Sequence, residues 1–164
     1  MRRRPRQKLE VIPLRVYFHC GWGVQVDQTF EGEILNAGEM LRVYEPSGRR
    51  ELHLSSMALR RHDGQPLVAE ELAEFLDSFP PPEMTGLRYK HQRAGHVGRA
   101  LWMFGDDDQA GPAWVLMGLT VSEAARKAAR ITVVCEDEAD RDWAVERWRS
   151  VLCTEGVIPG LPPR

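Results

Sequence analysis

Apolar and polar residues alternate along most of the chain with the period of two that is typical of half-buried β-strands. The pattern predicts strands over residues 14–19 and again around Val24 and Val26. Residues 41–54 predict a hairpin whose turn lies at residues 46–48, a Pro-Ser-Gly sequence. The first part of the chain is therefore predicted to be mainly strand.

The alternation changes phase after this hairpin. Leu52 and Leu54 occupy even-numbered positions, whereas Met57 and Leu59 occupy odd-numbered ones. One extra residue within the strand would return all four side chains to one face of a sheet. We therefore predict a β-bulge at residues 55–56.

Two other segments have the spacing of an amphipathic helix. Within residues 68–79 the apolar positions fall at i, i+4, i+7, i+8 and i+11, and three prolines follow. Residues 137–152 begin with Asp137, a frequent first residue of helices. Their apolar residues share one helical face and are Ala144, Val145, Trp148, Val151 and Leu152. Each segment is predicted to form one helix.

Residues 99–104 and 113–121 are apolar in both phases of the alternation. One phase contains Trp102, Phe104, Trp114 and Leu116, and the other contains Leu101, Met103, Val115, Met117 and Leu119. A strand that is apolar in both phases is covered on both faces, so we predict that the two helices divide between the faces of the sheet. If both helices lay on one face, the aromatic phase would be left for a partner protein.

The segment between these two strands, residues 105–112, contains the three carboxylates Asp106–Asp108. Asp, Gly and Pro are common in hairpin loops, so we interpret the segment as a solvated turn. A calcium-binding loop would need alternating oxygen ligands and a distant glutamate, which this segment lacks. An alternative keeps Asp106–Asp108 together with His91 and His96 as the site of a small metal-dependent hydrolase.

Composition changes this picture little. The chain has 164 residues, of which 43% are hydrophobic and 28% charged, as in an ordinary globular protein. We predict a basic N-terminal arm over residues 1–13, one domain over 14–152 and a C-terminal tail over 153–164. Residues 1–8 carry five positive charges and no acid, which leaves a net charge of −7 on the remainder of a chain whose total is −2. A short arm on an acidic body makes a nucleic-acid partner an unfavoured interpretation.

Several functional classes lack their sequence signatures. The glycine-rich motifs of nucleotide sites and the G-x-S-x-G motif of hydrolases are absent. The three cysteines are widely spaced without a C-x-x-C pair, so we expect buried thiols. No secretory signal or membrane-spanning stretch is visible, and we expect a cytoplasmic protein without a cofactor.

The order of the predicted elements resembles that of PsbP-like α/β/α sandwich proteins. The likeness is carried mainly by WVLMGLTVSEAARKAARITVVCEDEADRDWAVERWRSVL, residues 114–152, in which two strands lead into a helix that ends in W-R-S-V-L. This fold includes photosystem PsbP subunits, Ran-binding Mog-type proteins and the Eag-type chaperones of type VI secretion effectors. The resemblance implies a binding or assembly factor, and the lack of a signal sequence favours the cytosolic, chaperone-like members.

Together these observations predict an α+β domain of the α/β/α sandwich type, with a mostly antiparallel, twisted sheet and two principal helices. We predict a non-enzymatic module that binds another protein, as a chaperone, adaptor or immunity protein of a bacterial secretion or toxin system. Its predicted partner-binding platform consists of Trp102, Phe104, Trp114 and Leu116, with no metal site and no catalytic residue. The sequence leaves the identity of the partner and the oligomeric state open.

Overall fold

Strands form most of the described part of the chain, and two α-helices accompany them. The computed structural model describes residues 14–17, 21–57, 59–79, 87–88, 92–94, 97–106 and 113–154. The strands are β1 (Leu14–Tyr17), β2 (Trp22–Val26), β3 (Glu31–Leu35), β4 (Met40–Tyr44), β5 (Arg50–Met57), β6 (Leu87–Arg88), β7 (Gln92–Ala94), β8 (Val97–Asp106), β9 (Ala113–Ser122), β10 (Lys127–Cys135) and β11 (Leu152–Cys153). The helices are α1 (Ala69–Ser78) and α2 (Arg141–Ser150), and short 3-10 turns lie at Asn36–Gly38 and Glu138–Asp140. None of the helices in these ranges is long and apolar enough to cross a membrane.

The strands form two antiparallel sheets. The long sheet has eight strands in the order β3-β4-β5-β10-β9-β8-β6, with β7 also paired to β8. The short sheet has three strands in the order β1-β2-β11. The predicted α+β class, with a mostly antiparallel sheet and two principal helices, is confirmed.

One face of the long sheet, which we call the α2 face, is covered by α2 and the short sheet. Trp148 of α2 is buried there, and its Nε1 donates a 3.0 Å hydrogen bond to the carbonyl oxygen of Ala100. The other large buried side chains of this cluster include Trp22, Val24, Leu52, Leu54, Leu116 and Ile131. This cluster is the main core of the molecule.

The opposite face, which we call the α1 face, is covered by α1 near the end of the sheet where β5 finishes. Leu72 and Leu76 of α1 pack against Leu119, Val121 and Ala128 of the sheet. The two helices therefore lie on opposite faces of the sheet. This confirms the prediction drawn from strands that are apolar in both phases.

The predicted β-bulge at residues 55–56 is wrong. β5 pairs with β10 in one unbroken register from Arg50 to Met57. Leu52 and Leu54 therefore face α2, whereas Met57 packs against the cluster around α1. The alternation changes phase because the strand passes from beneath one apolar layer to beneath the other, without any inserted residue.

Three predicted boundaries shift. The helix predicted over residues 137–152 is a 3-10 turn followed by α2 at Arg141–Ser150, and Leu152 belongs to β11. β8 runs on through Asp106, which pairs with Ala113, so residues 105–106 of the predicted turn segment 105–112 belong to the strand. Residues 107–112 lie outside the described residues. Cys153, predicted to belong to the tail 153–164, pairs with β2 in the short sheet as part of β11. Backbone hydrogen bonds determine where β8 and β11 end, and in both strands these bonds continue beyond the last residue of the predicted apolar pattern.

β3 is a strand that the sequence pattern did not predict. The side chains of Glu31–Ile34 are exposed, so no buried face marks the strand. β3 is the last strand on its side of the long sheet and pairs with β4 alone among the described strands. Backbone hydrogen bonds rather than burial hold such a strand, and hydrophobic periodicity does not detect it.

Substitution of Gly118 by Ala is expected to destabilise the protein. A Cβ at this position would overlap Cδ1 of Trp148 and lie 2.8 Å from its Nε1 and 2.9 Å from Cγ2 of Ile131. We expect a loss of about 1–3 kcal/mol in the free energy of unfolding, because the indole would have to move. Denaturation by urea measures this loss.

Gly32→Ala is the matched control, since its added Cβ would meet atoms no closer than 3.7 Å. Its effect should stay within about 0.5 kcal/mol. Equal destabilisation by the two substitutions would contradict the packing of Trp148 over Gly118.

Candidate functional site

Polar side chains continue the α1 face over β3, β4 and β5, beyond the strands that α1 covers. We call this group the charged face, and its members are Glu31, Glu33, Arg42, Tyr44, Glu51 and His53. The register places Glu33 opposite Arg42 and Glu31 opposite Tyr44. Successive side chains of a strand point to opposite faces of the sheet. Leu41 is buried on the α2 face, so the charged residues next to it in the strands lie on the opposite, exposed face.

Arg42 lies at the centre of the charged face. Its Nε and Nη2 donate to the two carboxylate oxygens of Glu51, at 2.9 and 2.8 Å. Its Nη1 donates to Oε1 of Glu33 at 2.7 Å, and its guanidinium carbon lies 4.7 Å from the centre of the Tyr44 ring. One guanidinium therefore links three neighbouring strands through a bidentate and a single hydrogen bond.

These contacts shift the pKa values of the groups involved. The hydrogen bonds from Arg42 lower the pKa of Glu51 to about 2, although burial acts in the opposite direction. Hydrogen bonds to the carboxylates raise the pKa of Arg42 above its ordinary value. Tyr44 donates to Oε2 of Glu31 at 3.0 Å, which raises the pKa of the tyrosine. His53 contacts Oε1 of Glu51 through its Nε2 and completes the network.

The shifted pKa values on the charged face move away from neutrality. A general acid or base works best with a pKa near the pH of the reaction. The pKa of Glu51, about 2, keeps this carboxylate ionised at neutral pH. Burial raises the pKa of the Cys135 thiol to about 12, which makes it a poor nucleophile. Within the described ranges, no three His, Cys, Asp or Glu side chains are grouped so that they could hold a metal ion.

The outer edge of β3 borders the charged face. Every second residue of an edge strand directs its N–H and C=O groups away from the sheet, and no described strand pairs with this edge. Ile34 is 56% exposed, although its cross-strand neighbour Leu41 is buried. The edge therefore combines main-chain donors and acceptors with an exposed apolar side chain and the carboxylates of Glu31 and Glu33.

A buried carboxylate fixes the hairpin that carries the charged face. Asp140 is only 4% exposed and precedes α2. Arg50 donates from Nη2 to its Oδ1 at 2.6 Å, and Arg49 donates from Nε to its Oδ2 at 3.1 Å. The bond from Arg50, helped by that from Arg49, lowers the pKa of Asp140 below its ordinary value. Because both arginines lie where β5 begins, Asp140 ties the β4–β5 hairpin to α2.

Aromatic contacts support the same corner of the molecule. Trp143 of α2 stacks on Phe30 with ring centres 5.5 Å apart, and the guanidinium of Arg50 lies 5.0 Å from the Trp143 ring. Nε1 of Trp143 donates to Oδ2 of Asp27 at 3.0 Å. These contacts connect α2 with the segment that leads from β2 into β3, so the start of the exposed edge has defined neighbours.

Two residues of the predicted platform have described side chains. Leu116 is buried on the α2 face, and Trp114 is half-buried against the same core. The side chains of Trp102 and Phe104 lie outside the described part of the structure. The platform of Trp102, Phe104, Trp114 and Leu116 therefore stays a prediction.

The residues of the alternative hydrolase site fall mainly outside the described residues. This applies to His91, His96 and residues 107–108, whereas Asp106 ends β8. The basic arm, residues 1–13, also lies outside the described residues. The hydrolase site therefore stays a prediction.

Comparison with known proteins shows the fold and nothing finer. No protein-family model matches this sequence, and no curated protein matches it. The structure is similar to a crystal structure from Bacteroides thetaiotaomicron VPI-5482, with a TM-score of 0.54 and 10% sequence identity. The similarity covers 84% of this chain and 47% of that one, so this chain spans about half the length of that protein.

Asp140→Asn is expected to destabilise the protein by about 2 kcal/mol, because two charge-assisted hydrogen bonds lose their negative partner. The contribution of Asp140 should be fully present above its ordinary pKa of 3.8 and should disappear as the pH falls through its lower folded-state pKa. Urea denaturation at several pH values measures both effects.

Asp142→Asn provides the control, since Asp142 is an exposed acid in the first turn of α2. Its loss should stay below about 1 kcal/mol. If Asp140→Asn were as harmless as this control at neutral pH, Asp140 would not anchor the hairpin.

Carbon NMR of the Glu51 carboxylate is expected to show a titration midpoint near pH 2. In an Arg42→Gln variant the midpoint should rise towards the ordinary value of 4.5, because the bidentate donor is gone. An unchanged midpoint in the variant would contradict the central place of Arg42 in the charged face.

Proposed function

We propose that this protein binds another polypeptide at the outer edge of β3, and that the charged face beside this edge selects a basic partner. The observation that supports the proposal is the exposure of Glu31–Ile34 along an edge strand. Arg42 and Asp140 hold the strands behind that edge in place. Binding without chemistry agrees with the strongly lowered pKa of Glu51.

Main-chain hydrogen bonds would supply much of the affinity. A partner strand beside β3 would extend the long sheet and pair with the N–H and C=O groups of its outer edge. Because side chains alternate along a strand, Glu31 and Glu33 would flank the added strand on one face and Ile34 on the other. We expect the partner segment to carry basic residues at alternate positions and an apolar residue on its opposite face.

The same glutamates disfavour pairing with a second copy of this chain. Two antiparallel β3 strands centred near Gly32 would bring Glu31 and Glu33 of the two copies together. Like charges directly opposite each other destabilise a pair of strands, and charged edges protect sheets from self-association. The edge therefore discriminates between a basic partner and its own copy.

Within this class, we infer a cytoplasmic chaperone, adaptor or immunity protein of a bacterial secretion or toxin system. The resemblance to PsbP-like proteins supports that choice, because the members of that fold are mostly binding or assembly factors. An acidic strand edge suits the capture of an exposed basic segment in a client or toxin.

The double variant Glu31→Lys/Glu33→Lys should lose the partner. Tagged wild type and variant are expressed in the native cells, the bound proteins are quantified by mass spectrometry, and the affinity for the purified partner is then measured. We expect the affinity to fall by about tenfold or more, because like charges would meet at the interface. Circular dichroism and thermal unfolding check that the variant is folded.

The matched control is Glu70→Lys/Glu74→Lys, which makes the same change in charge on the exposed side of α1. This variant should retain the partner. Binding that survives in the β3 variant, or that is lost equally in both variants, contradicts the proposed edge. The absence of any specific partner of the wild type contradicts the binding function itself.

A further inference from the structure

An open cleft lies at the opposite end of β5 from the charged face. Its volume is about 260 Å³, and it is formed by the loop between β5 and α1 together with the turn between β9 and β10. The cationic residues that line it are Arg60, Arg126 and Lys127, and the larger apolar ones are Met57, Leu59 and Pro66. None of the lining residues is acidic.

The loop that carries Arg60 is closed by its own contacts. Arg60 and Pro66 form an isolated antiparallel bridge, and Nη1 of Arg60 donates to the carbonyl oxygen of Gly64 at 2.9 Å. Gly64 has a φ of 81°, which a glycine adopts without strain. The guanidinium of Arg60 is therefore positioned before any ligand arrives, which reduces the entropy lost on binding.

Arg126 occupies a backbone conformation that its own side chain disfavours. Its φ is 52°, in the left-handed region where a Cβ is unfavourable and glycine is the usual residue. The turn nevertheless places an exposed arginine at the cleft. Residues in such conformations persist where the surrounding structure compensates for the strain, and they concentrate at ligand and active sites.

The charges around the cleft favour an anion. Positive groups that converge on one cleft repel each other, and a bound negative group removes that repulsion. Two acids near Arg60 are already hydrogen-bonded to other groups. Asp63, in the loop between β5 and α1, accepts from the Gln65 amide at 3.0 Å, and Glu71 of α1 accepts from Arg61 at 2.9 Å. Glu123 and Lys127 of the turn also have partners, so the site rests on Arg60 and Arg126.

Apart from the cations and Ser56, the residues that line the cleft are apolar, and the cleft is small. Met57 and Leu59 pack against the cluster beneath α1, so they form a fixed apolar floor. A volume of about 260 Å³ lies just below the range of about 300–1,000 Å³ found for drug-sized ligands. A cleft of this size and lining fits a small molecule with an apolar part.

We propose that this cleft binds a small organic anion, a carboxylate or phosphate group on a short apolar body. The anionic group lies between the guanidinium groups of Arg60 and Arg126, which donate hydrogen bonds to its oxygens. The apolar body lies on Met57, Leu59 and Pro66. The site is independent of the polypeptide-binding edge, which lies at the other end of β5.

The test uses benzoate, phenyl phosphate, inorganic phosphate and neutral benzamide as probes in nitrogen-proton NMR titrations of the full chain. Benzoate, phenyl phosphate or both should shift the amide signals of the cleft residues, and the preference between them identifies the anionic group. Benzamide should bind about tenfold more weakly or worse, because it lacks the charge. Inorganic phosphate should bind more weakly than phenyl phosphate, because it lacks the apolar body.

Arg126→Gly removes the guanidinium and relieves the left-handed backbone. This variant should melt at the same or a higher temperature than wild type and yet bind the preferred anion about tenfold more weakly. Arg149→Gln, an exposed cation of α2 away from the cleft, should bind it as wild type does. The proposal is overturned if neither organic anion shifts the cleft signals, if benzamide binds equally well, or if Arg126→Gly keeps the wild-type affinity.

Discussion

A long antiparallel sheet that is apolar on both faces has to be covered twice, and the rest of this structure depends on that constraint. α2 and the short sheet cover one face completely enough to bury Trp148 and the main core. α1 covers the other face only over β8 and β9 and the adjoining part of β10. Over β3, β4 and β5 the apolar side chains give way to the charged face, so the candidate site begins where coverage by α1 ends.

A buried carboxylate anchors the hairpin behind the exposed surface. An ionised carboxylate removed from water is unfavourable by several kcal/mol unless it is paired, and Asp140 is paired with two arginines of the β4–β5 hairpin. Arg42 then links this hairpin to β3 through Glu51 and Glu33. Two separate groups of charged contacts therefore hold the β4–β5 hairpin: Asp140 ties it to the start of α2, and Arg42 ties it to the edge strand. The backbone of β5 joins the two groups.

Alternation of apolar residues predicted the β4–β5 and β8–β9 hairpins, both helices and the double coverage of the sheet, because each depends on burial of nearby residues. The alternation did not predict features that depend on how the strands pair. Met57 suggested a bulge because one apolar phase was assumed to face one core, whereas β5 keeps an unbroken register with β10. The charged face was not predicted, because exposed polar residues carry no period and β3 is held by its backbone. The sequence placed Asp140 near the start of a helix but did not predict its burial, because that burial depends on Arg50, which is 90 residues away in the sequence.

Site-specific photo-crosslinking tests the central claim, which is that β3 is the binding edge. A photoreactive amino acid replaces Ile34 on β3 in one variant and Glu74 on α1 in another, and both are irradiated in the native cells. The account predicts a specific crosslinked protein from position 34, joined through a segment rich in lysine or arginine, and none from position 74. Crosslinking from position 74 alone, or equally from both positions, would contradict it.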